Sequence, residues 1–373
     1  MVKGILAGII GCGLLISGGS ADKKKYHRVE ISNPECIFNT LFVRYEDLHS
    51  PKFAVLKEKY QLDTIFHGEA DEFKRILKLR HWINKTIPID NYGPYFGDQS
   101  AESVLDEASR RHGFHCGHYM LVQDAILNAY GYVTRCVLSD VGFPVDLIAG
   151  EGHHAINEVW SNQFHKWFLS DAKYDYHFEK EGIPLSALEV RDEYLKNKAS
   201  DIQLKKGPDR VPTENFPELK NRSKALFARI YTWLSWSKYL DRYVSWPNCS
   251  SDTLFVYADA YFKTHTWLYN GEPHWAYHTA FLNLVQDRKQ IEWTPNTISA
   301  KVQLFDKDHV QVTLRSSTPN LKSYQLKISP DTTWKNIPDS VDLKISGDRE
   351  EMVFRTMNLA SVNGPEYRIK FER

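Results

Sequence analysis

The sequence predicts an α+β fold in which a thiol-bearing helix packs on an antiparallel sheet, followed by an all-β sandwich. Three observations carry this. A polar loop, His112-Gly113-Phe114-His115, runs into Cys116 and then into the apolar run Tyr119 to Tyr130, closed by Gly131. Such a run reads as a helix buried on most sides, with Gly as its C-terminal stop. Further on, His153 to Trp160 and Lys166 to Ser170 flank a polar turn and read as two hairpin strands. From about Ile298 the apolar residues alternate: Val302 and Leu304; Val310, Val312 and Leu314; Tyr324, Leu326 and Ile328; Val341, Leu343 and Ile345; Tyr367, Ile369 and Phe371. Short strands with turns between them predict a sandwich of immunoglobulin or fibronectin type.

The remaining elements follow in order. Lys3 and the small apolar run Gly4 to Ile16 read as a targeting segment, too short for an ordinary membrane span. Ile9-Ile10-Gly11-Cys12 resembles a bacterial lipobox, which would make Cys12 a lipidated first residue. Gly19-Ser20-Ala21 would instead suit an ordinary signal peptidase. Both readings predict export to the periplasm or cell surface. Export would permit Cys36 and Cys249 to pair, whereas Cys136 reads as a small core residue on a strand.

Lys52 to Tyr60 and Asp71 to Asn84 have helical spacing, the second with Phe73, Ile76, Leu77 and Ile83 on one side. The loop Asp90 to Gln99 could wall a cleft. Pro184 to Asn197 reads as a helix, and the polar, Pro-bearing stretch Asp201 to Lys224 as a linker or surface excursion. Leu226 to Val244 reads as an aromatic helix, and the aromatics continue to Trp275. They suit core packing or a platform for sugars and peptides.

The expected organisation is a signal at 1–21, a catalytic domain at 22–200, an aromatic-rich, partly helical extension at 201–295 and a β-sandwich at 296–373. Lys+Arg and Asp+Glu both number 47, so no overall field argues for nucleic acid.

The chemistry gathers around Cys116. It falls at the first turn of its helix, where unpaired N–H groups and the positive dipole end favour a thiolate. A thiolate enzyme needs a base, and the base needs an orienting group. His154 opens the first hairpin strand and Asp171 ends the second, so the two can meet. His153 is a rival base, but strand neighbours face opposite sides. Asp175 is a rival orienter. Asn157 and Glu158 read as strand-surface residues. The crowded His112, His115, Cys116 and His118 could hold zinc, although they straddle a loop-to-helix junction. The Cys116 backbone N–H suits an oxyanion hole, with Gln99 and Trp82 as candidates for a second donor.

The ordered set Gly113-x-x-Cys116, His154-Ala155 and Trp167-x-x-x-Asp171 resembles the transglutaminase-like superfamily. So does the helix ending in the turn His81-Trp82-Ile83. The resemblance covers about Glu69 to Tyr176. It implies a papain-like core with Cys116 as nucleophile, His154 as base and Asp171 as orienter. Ile156 stands where the family often has Trp, and Ala172-Lys173 where it often has Pro-Thr.

The expected function is cysteine-dependent acyl transfer on amide bonds: hydrolysis of a peptide or an amide-bearing glycoconjugate, with no metal or organic cofactor. The expected partners are a peptide, protein or glycoconjugate substrate, no nucleic acid, and a membrane only through a lipid on Cys12. The alternative is a non-catalytic glycan- or peptide-binding surface protein on the same scaffold.

Overall fold

The computed structural model describes residues 26–29, 31–90, 99–140, 153–216, 222–241, 254–264, 268–269, 272–273, 283–305 and 308–372. The signal segment with Cys12, most of the loop at 90–99, Cys249, Tyr243, Trp246, Trp267 and Trp275 lie outside these residues.

One helix, Cys116–Ala129, forms the hub, and each of its residues from Gly117 to Leu127 is buried. Its apolar run is not amphipathic because other elements surround it. Three helices, Pro51–Lys59, Glu72–Thr86 and Ala101–Ser109, pack on it through Leu56, Ile76, Leu77, Val104 and Leu105. Side chains cap two of them: Asp71 accepts from Lys74 N–H at 2.7 Å and Ser100 from Ser103 N–H at 3.2 Å. Gly131 stops the hub helix with a φ of +75°. It also allows close approach, since a Cβ there would lie 2.5 Å from the Cβ of Ala360 in the C-terminal module.

The sheet beneath the hub has six strands in the order Leu284–Val285, Leu254–Tyr257, Trp233–Ser237, Thr134–Asp140, His153–Ser161 and Lys166–Ser170. The hairpin expected from the sequence is present, with Asn157 opposite Ser170. The first three strands come from the segment expected to be an extension, so one sheet spans 134–285. The expected aromatic helix at 226–244 stops at Thr232, and the described residues after it are mainly strand. After a short helix at Lys224–Arg229, Trp233–Ser237 pairs with Thr134–Asp140. Trp233, Leu234 and Trp236 are all buried, and such a strand has no polar face to reveal its period. The described aromatics Phe227, Tyr231, Trp233, Trp236 and Phe255 are core residues.

Asn157 and Glu158 are not at the surface, as the sequence reading had them. Both are at most 1% exposed. The sheet is covered on both faces. Ala155 packs with Met120 and Cys136, while Ile156 and Trp160 pack with Trp167, Trp236 and Trp293. Glu158 is compensated by Arg135, whose Nη2 lies 2.6 Å away, and by N–H donors from Trp236 and Ala187.

The polar stretch Asp201 to Lys224, expected to be a linker or surface excursion, carries sheet strands at Gln203–Lys206 and Val211–Thr213 among its described residues. Gln203–Lys206 lies between Tyr176–Lys180 and Val211–Thr213, and Ile183–Pro184 adds a further edge. One fully buried apolar residue, Leu204, anchors the central strand, too little to give a sequence period.

The C-terminal module packs a five-stranded on a three-stranded antiparallel sheet through Val310, Val312, Leu326, Phe354, Ile369 and Phe371. Its longest strand, Arg349–Asn358, is one that the alternation did not pick out. An edge strand of the larger sheet is His27–Val29, so the start of the described chain pairs with Tyr367–Glu372 rather than with the helical layer.

Candidate active site

Three elements converge on the start of the hub helix. Cys116 occupies its first position, after His115 in extended conformation (φ −91°, ψ 176°). The first N–H groups of a helix lack intrahelical partners, so the Cys116 N–H can donate to an incoming oxyanion. His154 comes from the strand His153–Ser161, opposite Ser139. Asp171 follows the strand Lys166–Ser170 and is held by paired backbone hydrogen bonds to Tyr176 of 3.0 and 3.1 Å.

The side chains form one continuous path. His154 Nε2 lies 2.5 Å from Asp171 Oδ2, and the His154 ring is hydrogen-bonded to the Cys116 thiol. With Nε2 committed to the carboxylate, Nδ1 is the nitrogen that faces the thiol. His154 and Asp171 are 6% and 1% exposed, whereas Cys116 is partly exposed. The residues named from the sequence are thus brought together, with the thiol the most accessible of the three.

The electrostatics follow from this packing. Burial pushes the Cys116 thiol up. Hydrogen bonds from His115 and His154, with the charges of His154 and Lys173, outweigh it and hold the thiol well below the ordinary range. Burial alone would lower His154. The Asp171 carboxylate and the Cys116 thiolate instead raise it to about 9. Burial likewise opposes ionisation of Asp171, but His154, the Tyr174 N–H and Tyr176 bring it below the usual carboxylate range. The favoured state is therefore a thiolate–imidazolium pair backed by a carboxylate.

Residues 60–172 match the model of the transglutaminase-like superfamily. The chain carries a transglutaminase-like superfamily domain. No curated protein matches the chain. The matched span of this transglutaminase-like domain contains Cys116, His154 and Asp171 and ends one residue after the last of them.

The rivals lie elsewhere. Asp175 bonds Arg80 Nε at 3.0 Å and His81 Nδ1 at 2.5 Å. The side chain of His153 lies outside the described residues. His112 turns to Glu107 at 2.6 Å, while the His115 and His118 rings meet edge to face at 4.3 Å. Among the described residues, no group of three or more His, Cys, Asp or Glu side chains could hold a metal ion. Trp82 packs against Tyr60 at 6.3 Å. The Gln99 carboxamide oxygen is buried and lacks a hydrogen-bond partner.

Several residues of the transglutaminase-like centre escaped the sequence reading. Tyr174 stacks on His154 at 5.6 Å and 29°, and its N–H donates to Asp171 Oδ1 at 3.1 Å. Phe227 packs edge to face on the same imidazole at 5.9 Å and on the Tyr174 ring at 5.7 Å. Tyr176 bonds to Asp171 and, at 2.9 Å, to Tyr231. Lys173, 4% exposed, places its ammonium 5.1 Å from the Tyr174 ring centroid. The alternation of Asp171, Lys173 and Asp175 with Ala172, Tyr174 and Tyr176 was a readable signal of a charged turn. Nothing local marked Phe227 or Tyr231.

Proposed function

We propose that this protein is a cysteine-dependent acyl-transfer enzyme acting on amide bonds, and that it hydrolyses a peptide or an amide-bearing glycoconjugate. The observation that carries the reading is the hydrogen-bonded path from partly exposed Cys116 through His154 to Asp171.

Thiolate Cys116 attacks the amide carbonyl carbon, forming a C–S bond. The oxyanion is met by the Cys116 N–H. His154 gives its proton to the nitrogen as the C–N bond breaks, and the amine leaves. Water then attacks the thioester and passes a proton to His154. The C–S bond breaks, the carboxylic product departs, and the thiolate–imidazolium pair is restored. Asp171 keeps its charge throughout, fixing the tautomer and stabilising the imidazolium. Each proton has a named donor and acceptor among these side chains, so the scheme needs no cofactor. An amine in place of water would give transamidation by the same steps. Water is favoured because it is the abundant acceptor.

The test is acyl trapping. The protein is incubated with a library of peptides and amidated sugars, and Cys116 peptides are read by mass spectrometry. The expected result is a thioester adduct on Cys116 and product formation that Cys116→Ala abolishes. A Cys116→Ala protein with full biological activity would sink the proposal and leave a binding protein. We also read the N-terminal segment as an export signal cleaved before Cys12, which would carry a lipid anchor as the first residue of the mature chain. A mature chain starting at unmodified Asp22 would contradict the anchor.

A further inference from the structure

We infer that Tyr176 and Tyr231 form a hydroxyl relay that positions and tempers Asp171, so that two residues from beyond the matched span 60–172 complete the site. This rests on the reading of Cys116, His154 and Asp171 given above.

A buried carboxylate must have its lone pairs satisfied. Asp171 accepts from His154, from the Tyr174 N–H and from the Tyr176 hydroxyl. The Tyr176 and Tyr231 hydroxyls lie 2.9 Å apart and either can donate to the other; in the inferred relay Tyr176 gives its only hydroxyl proton to the carboxylate and Tyr231 donates to Tyr176. The relay runs one way: Tyr231 to Tyr176 to Asp171. Both rings are fully buried. Burial, first of all, drives both phenols far above their ordinary range, so they remain neutral donors at working pH. Tyr231 is itself fixed. It lies in the turn Ile230–Thr232, between the helix Lys224–Arg229 and the strand that pairs with Thr134–Asp140, and Arg191 Nε donates to the Thr232 carbonyl at 3.0 Å.

The chemical consequence concerns proton release. Each donor to Asp171 draws off negative charge, and successive hydrogen bonds polarise one another. A tempered carboxylate holds the imidazolium less tightly, which suits a group that must give its proton to a leaving amine. The ionisable groups around the His154–Asp171 pair are Cys116 and Tyr119 from the hub helix, Lys173, Tyr174 and Tyr176 from the turn, and Tyr231.

The test uses iodoacetate, an anionic alkylating agent, on the full-length protein across pH. Its rate rises as the Cys116 thiol ionises and falls as the His154 imidazolium loses its proton. The upper limb therefore reports His154, at about 9 in the parent protein. Tyr176→Phe should move that limb up by roughly half a pH unit or more. Tyr231→Phe should move it in the same direction by less. Thermal melting is followed in parallel. A lowered melting temperature with an unmoved limb, or a limb that moves down, would overturn the relay. If Tyr176→Phe does not fold, Tyr231→Phe decides alone. A parent protein with no rise at low pH would overturn the acyl-transfer reading and this inference with it. A normal bell that both variants leave unchanged would overturn this inference only.

Discussion

Two histidine–aspartate pairs hang from one turn. His154 meets Asp171 and His81 meets Asp175, each at 2.5 Å, and the two carboxylates lie four residues apart. They differ in what comes next. The first pair continues from the imidazole to a thiol at a helix start. The second continues from the carboxylate to the guanidinium of Arg80, which is fully buried and also reaches His177 at 3.1 Å. His177 in turn bonds Glu179, which Arg210 clamps with two N–H donors at 2.6 and 2.7 Å. A histidine–carboxylate contact is thus no signature of catalysis in itself. In one place it sustains an ion pair with a thiol at a helix start, and in the other it closes a structural charge network that pins the turn carrying Asp171.

Variants should separate the two pairs. The largest expected effect is on reactivity: His154→Ala should slow Cys116 alkylation at pH 6 by about 100-fold or more, while His81→Ala leaves it unchanged. Equal losses in both variants, by a timed alkylation assay, would erase the distinction. Next, Asp175→Asn strands the buried Arg80 charge and should destabilise the fold by about 3–5 kcal/mol in urea titrations. Its folded fraction should keep the parent alkylation profile. A variant of full stability would show that the network does not hold the turn.

The pH dependence of stability reads the same contrast. Burial, foremost, holds His177 down to about 4 and His118 down to about 3. Unfolded histidine binds a proton near about 6.5. Below that pH the unfolded chain takes up protons that the folded chain refuses. The contribution of both groups is present above about 6.5 and is lost as pH falls towards 4. The slope should reach roughly 2–3 kcal/mol per pH unit, and His177→Gln should remove about half of it. Cys116 and His154 add little slope between about 7 and 8, above the pKa of an unfolded imidazole (about 6.5) and below that of an unfolded thiol (about 8.5). Folded as thiolate–imidazolium or unfolded as thiol and neutral imidazole, they hold one proton between them. Urea midpoints that stay constant from pH 7 to 4.5 would contradict this. The smallest effect is expected for His81→Ala. His81 is 38% exposed, and its pair should contribute no more than about 1 kcal/mol.

The readable parts of this molecule were those with a local pattern. Gly131 and the apolar run before it marked the hub helix. The Trp167-x-x-x-Asp171 spacing marked the end of a strand, and the alternation after Ile298 marked the sandwich. The unread parts depend on contacts between distant segments. Trp233–Ser237 is a strand because its neighbours in space cover both of its faces, and its sequence resembles an aromatic helix just as well. Glu158 is polar, yet it is buried because Arg135, 23 residues earlier, meets it on the adjacent strand. Tyr231 reaches Tyr176 across 55 residues. A motif names the atoms that react, but it does not name the shell that holds them.

The most direct test is the rate of Cys116 alkylation by neutral iodoacetamide against pH, in the parent protein and in His154→Ala. The account predicts a thiol that already reacts in mildly acid solution and whose apparent ionisation rises towards the ordinary value of about 8.5 when His154 is removed. A slow reaction with the same profile in both proteins, or none without denaturant, would contradict it and make Cys116 a structural thiol.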